Sequence, residues 1–183
     1  MGRIEFVLGG IRSGKSRFAE ERARRWQQET SGAVTYLATS RIRDDEMHAR
    51  VARHRSRRPA SWNTVERARR VAQSIRGSVD ESSLVLLDCV NMLVSNVLLD
   101  LEDQQPREAA MDTALAEVDE LAAALRDRSG PSILISNEVG MAPVALTPLG
   151  RLFQDTIGIA HQRIASVSDS AFFLVAGMPQ QLK

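Results

Sequence analysis

The sequence predicts a three-layer α/β fold, in which a mostly parallel central sheet is flanked by helices. Short apolar runs alternate along the chain with segments whose apolar residues recur at helical spacing. The runs are apolar at consecutive positions, which is typical of parallel strands that helices cover on both faces. A glycine-rich turn between the first run and the first helical segment fits the same architecture.

The first half of the chain contains three predicted strands and three predicted helices. The strands are the apolar runs 4–8, 33–38 (AVTYLA) and 84–87 (LVLL), and the helices cover 16–28, 44–55 and 65–75. Pro59 limits the second helix, because proline lacks an amide hydrogen and disfavours helical geometry in the residue before it.

The second half continues the alternation. A helix starts near Asn91, and Met111, Leu115 and Val118 recur at helical spacing in a long amphipathic helix. Further along lie a strand at 132–136 (SILIS), a helix at 149–165 and a last strand at 171–176 (AFFLVA). The polar stretch 99–109 is predicted to be an exposed loop.

The composition is that of a globular protein, with 43% hydrophobic and 26% charged residues. A chain of 183 residues forms one domain of ordinary size, and we expect a single catalytic domain over residues 1–183. The formal net charge of +1 gives no overall reason to expect nucleic acid or an anionic membrane as a partner.

The single cysteine, Cys89, excludes an internal disulfide framework and a cysteine-based zinc cluster. No apolar run approaches 18 residues, and the N-terminus lacks the long apolar segment of a secretory signal. We therefore expect a cytoplasmic protein without a membrane span.

Residues 9–16 read GGIRSGKS and match the phosphate-binding motif G-x-x-x-x-G-K-[ST] at every position. Between a strand and a helix, the backbone amides of such a loop and the helix N-terminus gather a polyphosphate. Lys15, one of two lysines among 24 basic residues, would reach the β- and γ-phosphates, and the Ser16 hydroxyl would ligate Mg²⁺. The fold is therefore expected to be P-loop NTPase-like.

Asp88 follows the strand at 84–87, at the sheet edge where ligands bind in open α/β proteins. A carboxylate there can hold Mg²⁺ directly or through water. It can equally cap the helix that starts near Asn91, and spacing alone does not decide between the two roles. Glu138 ends another strand in the same way, and for that residue a structural role is favoured.

Residues 41–70 contain ten arginines and four acidic residues, a net charge of +6. Such a concentration is typical of a solvated helix face or a nucleic-acid patch, and it also suits a clamp for a polyphosphate. On a helix, Asp44, Met47, Val51 and His54 share one stripe. His48 falls on a different face and is expected at the surface.

The inward position of His54 has two interpretations. A lone inward histidine is usually a core residue with satisfied hydrogen bonds. The alternative is covalent catalysis, in which a neutral imidazole attacks an α-phosphorus, expels pyrophosphate and carries the nucleotidyl group. The arginines around His54 would then stabilise the charge that spreads over the transferring group.

Six segments give the chain a recognisable identity: GGIRSGKSRFAEERA, YLATS, DDEMHARVARHRSRRPASWNTVE, LLDCVNMLVSN, ISNEVGM and LGRLFQDTIGIAHQRIASVSD. From residue 4 to the C-terminus, the chain resembles the adenosylcobinamide kinase/adenosylcobinamide-phosphate guanylyltransferase family of cobalamin biosynthesis. The P-loop alone would be unspecific, whereas the block DDEM…RHR…RP…W…E is highly specific.

The resemblance implies a bifunctional enzyme with a corrinoid substrate. One activity would phosphorylate the aminopropanol hydroxyl of adenosylcobinamide with ATP or GTP. The other would transfer GMP from GTP to that phosphate through a guanylylated histidine, at the position of His54, and give adenosyl-GDP-cobinamide. The family's oligomers imply a homotrimer.

The resemblance also implies a set of nucleotide contacts. They are Gly9, Gly10, Ile11, Arg12, Ser13, Gly14, Lys15, Ser16, Ala38, Thr39, Ser40, Arg57, Arg58, Pro59, Ala60, Glu66 and Asp88. The predicted catalytic residues are His54 and Lys15, and the predicted Mg²⁺ ligands are Ser16 and Asp88.

This chain departs from the family pattern at three places. After Gly140-Met141 the family usually reads G-I-V-P-E-N, whereas residues 142–147 here read APVALT. If that loop contacts the corrinoid, substrate affinity or one of the two activities would change. Ile11 stands where alanine is usual, and His161 stands where asparagine is usual.

Two other functions fit parts of the sequence. A different P-loop kinase for a small molecule would leave His54 structural and would never transfer the α-phosphate group of GTP. A nucleic-acid-binding module would use the arginines of residues 41–70 and bind with a steep salt dependence. That second function leaves the P-loop unexplained, and the near-neutral net charge opposes it.

Overall fold

In this computed structural model, residues 2–41, 45–102 and 104–183 are described, apart from the side chains at positions 46, 47, 50, 53, 54 and 57. The elements are β1 Ile4–Gly9, α1 Lys15–Thr30, β2 Val34–Ala38, α2 Asp45–Arg57, β3 Asn63–Glu66, α3 Val71–Ser78, β4 Leu84–Asp88, α4 Val90–Leu101, α5 Arg107–Arg126, β5 Ser132–Asn137, α6 Pro148–Val167, β6 Ser170–Val175 and β7 Met178–Gln181. None of the helices in the described ranges combines the length and the apolar character that a membrane span requires.

The described strands form one seven-stranded sheet in the order β3-β2-β4-β5-β1-β6-β7. Every neighbouring pair is parallel except β6 and β7. The register brings several carboxyl ends to one edge, since Gly9 lies opposite Asn137 and Ala38 lies opposite both Asp88 and Glu66. The predicted α/β fold with a mostly parallel sheet is confirmed.

The sheet separates two apolar cores, because successive residues of a strand face opposite sides. In β4, Leu84 and Leu86 belong to the smaller core, which α1 covers. Val85 and Leu87 belong to the larger core, which also contains residues of α3, α4, α5 and α6. Helices on both faces account for the nearly continuous apolar runs in the sequence.

The predicted helix at 65–75 is wrong. Asn63–Glu66 is instead a strand that pairs in parallel with β2, and α3 begins only after Arg70, whose φ of 52° is left-handed. The open edge of β2 offers backbone partners to this segment, and such tertiary pairing overrides local helical periodicity.

The predicted loop at 99–109 is shorter than expected. Helix α4 continues to Leu101, whose side chain is buried in the larger core, and α5 begins at Arg107 directly after Pro106. The sequence also gave no sign of β7, because this edge strand is polar and fully exposed.

His161 is half-buried where α6 packs on the sheet. A ring nitrogen lies 2.8 Å from the Ser136 hydroxyl of β5, and the ring meets Phe6 of β1 edge to face at 5.6 Å between centroids. Burial lowers the pKa of His161 from 6.5 to about 4, and the charge of Glu138 opposes this only in part. The folded protein therefore contains a neutral imidazole down to acidic pH.

We expect the His161→Asn variant to lose less stability in acid than the wild type. The unfolded chain binds a proton at His161 below about pH 6.5, whereas the folded chain binds it only near pH 4. Between these values the wild type therefore loses about 2 to 3 kcal/mol that the variant retains. Urea unfolding at about pH 7 and pH 4.5 measures this, with the exposed His48→Asn as control. Equal losses of stability in the wild type, His161→Asn and His48→Asn would contradict the lowered pKa of His161 in the folded protein.

Candidate functional site

The turn after β1 has the backbone geometry of a phosphate-binding loop. A Cβ atom at Gly9 would lie 2.4 Å from the Ser13 Oγ and 2.8 Å from the Leu174 carbonyl oxygen, so no larger residue fits. Gly14 has a φ of +96°, which L side chains rarely adopt. The Ser13 carbonyl accepts a hydrogen bond of 2.9 Å from the Gly177 amide, which ties the loop to the turn after β6.

The side chains of the loop divide into exposed and buried ones. Ile11 is exposed, and Arg12 is exposed with a left-handed φ of 58°. Lys15 is only 8% exposed, and its Nζ donates a 3.1 Å hydrogen bond to the Gly10 carbonyl. The buried ammonium and the Ser16 side chain both line a cleft at the carboxyl edge of the sheet.

This cleft has a volume of about 800 Å³, including solvent at its mouth, and lies where ligands bind in open α/β sheets. Residues from seven elements and their connecting loops meet there. The lining residues are Lys15, Ser16, Tyr36, Ala38, Ser40, Val51, Arg58, Glu66, Asp88, Cys89, Asn91, Met92 and Asn137.

The acidic side of the cleft contains Asp88, which ends β4. The Tyr36 hydroxyl donates a hydrogen bond to the Asp88 Oδ2. Burial, and next the negative charge of Asp88, raise the pKa of Tyr36 far above its usual value, so the phenol remains a donor. Asp88 thus has a fixed hydrogen-bond partner within the protein in addition to its position in the cleft.

The basic side of the cleft contains Arg58, the first residue after α2. Its guanidinium carbon lies 3.4 Å from the centroid of the Tyr36 ring, which is a cation–π contact. The Trp62 ring stacks on Tyr36 at 6.5 Å, and Trp62 Nε1 donates to the Gln27 side chain of α1 at 2.9 Å. The Nε and Nη1 of Arg58 are buried and have no hydrogen-bond partner among the described residues.

The three residues after Leu37 have different positions. Ala38 and Ser40 line the cleft. Thr39 is fully buried, and its hydroxyl donates to the Cys89 carbonyl at 2.7 Å and accepts from the Cys89 amide at 2.9 Å. The Thr39 side chain therefore fastens the end of β2 to the end of β4, and its predicted contact with a nucleotide stays a prediction.

The remaining predicted contacts follow α2. Glu66 ends β3, lines the cleft and forms an ion pair with the exposed Arg55. Pro59 is half-buried and Ala60 is exposed, and neither is among the lining residues. Their predicted roles stay predictions.

The predicted nucleophile lies on α2, but its side chain lies outside the described part of the structure. The same holds for the side chains of Arg57 and Met47 and for the whole of Asp44. Of the predicted stripe, Val51 is described, and it lines the cleft. The backbone of position 54 belongs to α2, one helical turn after Val51.

Glu138 has the structural role that the sequence favours. Its amide donates to the Gly9 carbonyl at 3.1 Å, and its carboxylate accepts hydrogen bonds from the amides of Gly140 and Met141. Further along the same loop, Gln154 of α6 bonds the Ala145 amide and the carbonyls of Val139 and Pro143.

The loop at 139–147 therefore has a bonded backbone and exposed apolar side chains. Arg151 adds hydrogen bonds to the carbonyls of Ala145 and Leu146. Met141 is 81% exposed, Val144 is 74% exposed and Leu146 is 97% exposed. A loop held in one conformation with its apolar side chains in solvent is typical of a binding surface.

Sequence reasoning missed five lining residues: Tyr36, Cys89, Asn91, Met92 and Asn137. A signal for Tyr36 was present, because it lies two residues before the end of a predicted strand and so points to the same face as Ala38. For Asn91 and Met92 the signal was their position at the start of the helix after Asp88.

The described geometry is consistent with comparisons to known proteins. A family model described as "Cobinamide kinase / cobinamide phosphate guanyltransferase" matches residues 5–182. The "Bifunctional adenosylcobalamin biosynthesis protein CobP" of Pseudomonas aeruginosa is 38% identical over 179 residues, which is 98% of this chain and 96% of that protein. The "Bifunctional adenosylcobalamin biosynthesis protein CobU" of Escherichia coli is 39% identical over 97% of this chain and 98% of that protein. Its namesake in Salmonella typhimurium is 37% identical, with the same coverage.

We expect Thr39→Val to destabilise the protein by about 2 kcal/mol, because the variant removes the buried hydroxyl that bonds both the amide and the carbonyl of Cys89. Thr39→Ser retains the hydroxyl and should lose less than half as much. Urea unfolding at neutral pH measures both variants. A Thr39→Val variant as stable as the wild type would show that the hydroxyl does not hold the two strands together.

Proposed function

This chain belongs to the cobinamide kinase / cobinamide phosphate guanyltransferase family, and we propose that a single nucleotide site serves both reactions in that name. The first reaction phosphorylates the aminopropanol hydroxyl of adenosylcobinamide with ATP or GTP. The second transfers GMP from GTP to the new phosphate and gives adenosyl-GDP-cobinamide. The observation that carries this proposal is the single cleft, which combines Lys15 and Ser16 with Asp88 and Arg58.

Binding of the triphosphate follows from the loop at 9–16. The left-handed turn at Arg12 and Gly14 directs the loop around the phosphates, and the N-terminus of α1 adds positive potential. The Lys15 ammonium, buried beside the cleft, supplies a compact positive charge for the β- and γ-phosphate oxygens. Arg58 lines the same cleft and adds the positive charge of its guanidinium.

The donor set of the cleft also suits Mg²⁺, which prefers oxygen ligands and usually takes one or two from the protein. The Ser16 hydroxyl and the Asp88 carboxylate are such donors and line the same cleft. When bound, Mg²⁺ would supply charge neutralisation at the β- and γ-phosphates. Ser16 and Asp88 would hold this charge in the cleft that Lys15 also lines.

In the kinase step, the oxygen of the substrate hydroxyl attacks the γ-phosphorus. The bond from the γ-phosphorus to the bridging oxygen breaks, and the nucleoside diphosphate leaves with that electron pair. Lys15 and the loop amides stabilise the negative charge on the transferring group and on the leaving group. The hydroxyl proton passes to solvent or to a general base, and the sequence does not identify a residue for that role.

In the guanylyl step, a neutral imidazole nitrogen of His54 attacks the α-phosphorus of GTP and pyrophosphate leaves. A phosphate oxygen of the substrate then attacks the same phosphorus, the phosphorus–nitrogen bond breaks and the histidine is restored. The lining position of Val51 supports this assignment, because positions 51 and 54 of α2 are neighbours on one helix face.

For the corrinoid, support comes from the loop at 139–147. The loop begins beside the phosphate site, since the Glu138 amide bonds the Gly9 carbonyl, and it presents Met141, Val144 and Leu146 to solvent. An apolar surface next to the phosphates suits a large, partly apolar substrate. The homotrimer implied by the family resemblance is a second proposal, and sedimentation equilibrium tests it directly.

We expect His54→Ala to lose covalent labelling by α-labelled GTP, because in the proposed scheme its imidazole supplies the phosphoramidate nitrogen. The matched control is His48→Ala, since His48 is exposed on the same helix. The control should retain an acid-labile, alkali-stable label, whereas His54→Ala should show a decrease of about 100-fold or more. An acid-labile label on His54→Ala would disprove the assignment, and a wild type labelled only by γ-labelled GTP would favour a simple kinase.

We expect Asp88→Asn to lower kcat for γ-phosphate transfer to cobinamide by about 100-fold. A neutral amide would bind Mg²⁺ more weakly than the carboxylate does, so the negative charge of the phosphates would be less well neutralised. The exposed Asp112→Asn of α5 is the control for charge removal. Initial rates with γ-labelled ATP measure the effect. Full kcat in Asp88→Asn would show that this carboxylate serves only as the hydrogen-bond partner of Tyr36.

A further inference from the structure

Tyr36 joins the acidic and the basic side of the cleft, although no motif in the sequence includes it. The side chain is 1% exposed and lies on β2 opposite Leu86 of β4. Asp88 follows Leu86 by two residues, so all three side chains share one face of the sheet. This register explains why the Tyr36 hydroxyl reaches the Asp88 carboxylate.

The ring of Tyr36 makes further contacts that do not involve the hydroxyl. The guanidinium of Arg58 lies over the ring at 3.4 Å, and Trp62 stacks on the same residue. The Arg58 Nε and Nη1 are buried and have no hydrogen-bond partner in the described part of the chain. The described contact that holds this end of the side chain is therefore with the ring, and Arg58 as a whole lines the cleft.

A core role alone does not require this residue. Phenylalanine would fill the same volume without a buried hydroxyl, which costs free energy unless it is hydrogen-bonded. Here the hydroxyl is bonded to a carboxylate at the cleft rather than to a backbone group of the core.

Resting on the nucleotide site proposed above, we infer that Tyr36 is a positioning residue for both halves of that site. Its hydroxyl fixes the orientation of the Asp88 carboxylate toward the cation that accompanies the nucleotide. Its ring seats the Arg58 guanidinium at the wall of the cleft, beside the phosphates. One side chain thereby sets the distance between the acidic and the basic group.

A double-mutant cycle tests the hydroxyl. We expect Tyr36→Phe to lower kcat for γ-phosphate transfer about tenfold, the size of a lost hydrogen bond to a charged group. In an Asp88→Asn background the same change should alter kcat by less than about twofold, because Tyr36 acts through that carboxylate. A tenfold loss in both backgrounds would mean a merely structural role and would overturn the inference.

Substitution of the ring tests the seat of Arg58. Tyr36→Phe retains the ring and should leave the Kd of a fluorescent GTP analogue, measured without Mg²⁺, within about twofold of the wild type. Tyr36→Leu should weaken binding about tenfold, as Arg58→Gln does, with no further loss when the two are combined. Equal Kd values for Tyr36→Leu and the wild type would overturn this half of the inference.

Tyr36 is the only tyrosine in the sequence, which provides a readout without catalysis. Protein grown with 3-fluorotyrosine has a single fluorine resonance, and we expect it to shift when GTP and Mg²⁺ are added. Both Asp88→Asn and Arg58→Gln should shift the resonance of the free protein, whereas the exposed Asp112→Asn should not. These shifts also test the ring contact if Tyr36→Leu does not fold.

The fluorine experiment distinguishes a failure of the Tyr36 role from a failure of the proposed nucleotide site. GTP binding to the labelled protein is measured in parallel by equilibrium dialysis with labelled GTP. A protein that binds GTP while its fluorine resonance stays unchanged overturns the role of Tyr36 and leaves the nucleotide site intact. A protein that does not bind GTP overturns the proposed function itself.

Discussion

The register of the parallel strands is the constraint on which the cleft depends. Pairing places the ends of β2, β3 and β4 at one level, since Ala38 lies opposite both Glu66 and Asp88, while β1 ends opposite Asn137 of β5. A slip of one residue would turn every side chain of a strand to the other face of the sheet. Tyr36 and Asp88 would then face opposite cores, and no adjustment of rotamers would restore their hydrogen bond. The buried hydroxyl of Thr39, bonded to both backbone groups of Cys89, fixes this register at the edge itself.

The structure also divides the arginine-rich region at 41–70 into two parts. Arg41 forms a bidentate pair with Asp100 of α4, which Arg69 shares while it also bonds Glu117 of α5. These pairs lower the pKa of Asp100, with the Arg41 hydrogen bond as the main cause. Arg41 and Arg69 are thus neutralised against the body of the protein rather than offered to a nucleic acid. Arg58 differs, because it lies in the cleft over an aromatic ring.

Local and non-local features of the fold differ in how well the sequence predicts them. The loop at 9–16 is local, since its glycines and its lysine are contiguous, and the structure confirms the turn between β1 and α1. The position of Asp88 follows from the end of one buried strand, which is also visible in sequence. The segment Asn63–Glu66 could not be assigned, because it is a strand only by pairing with β2. The same limit applies to Tyr36, whose partners Arg58 and Asp88 depend on the sheet order and on the path of the chain after α2.

In the proposed scheme the bound triphosphate is attacked at the γ-phosphorus in one reaction and at the α-phosphorus in the other. The two nucleophiles therefore need separate approaches to the cleft. The substrate hydroxyl comes from solvent, whereas the histidine belongs to α2, the helix that follows β2 and precedes β3 along the chain. The exposed pair of Arg55 and Glu66 contributes little to holding that helix, since such pairs are worth about 0.2–1 kcal/mol. Better anchors lie just outside its ends, with Arg41 paired to Asp100 before it and Arg58 seated on Tyr36 after it. Because a displacement of about 1 Å can cost about 100-fold in rate, the proposed scheme requires these two anchors, rather than the helix surface, to hold α2 where His54 would reach the α-phosphorus.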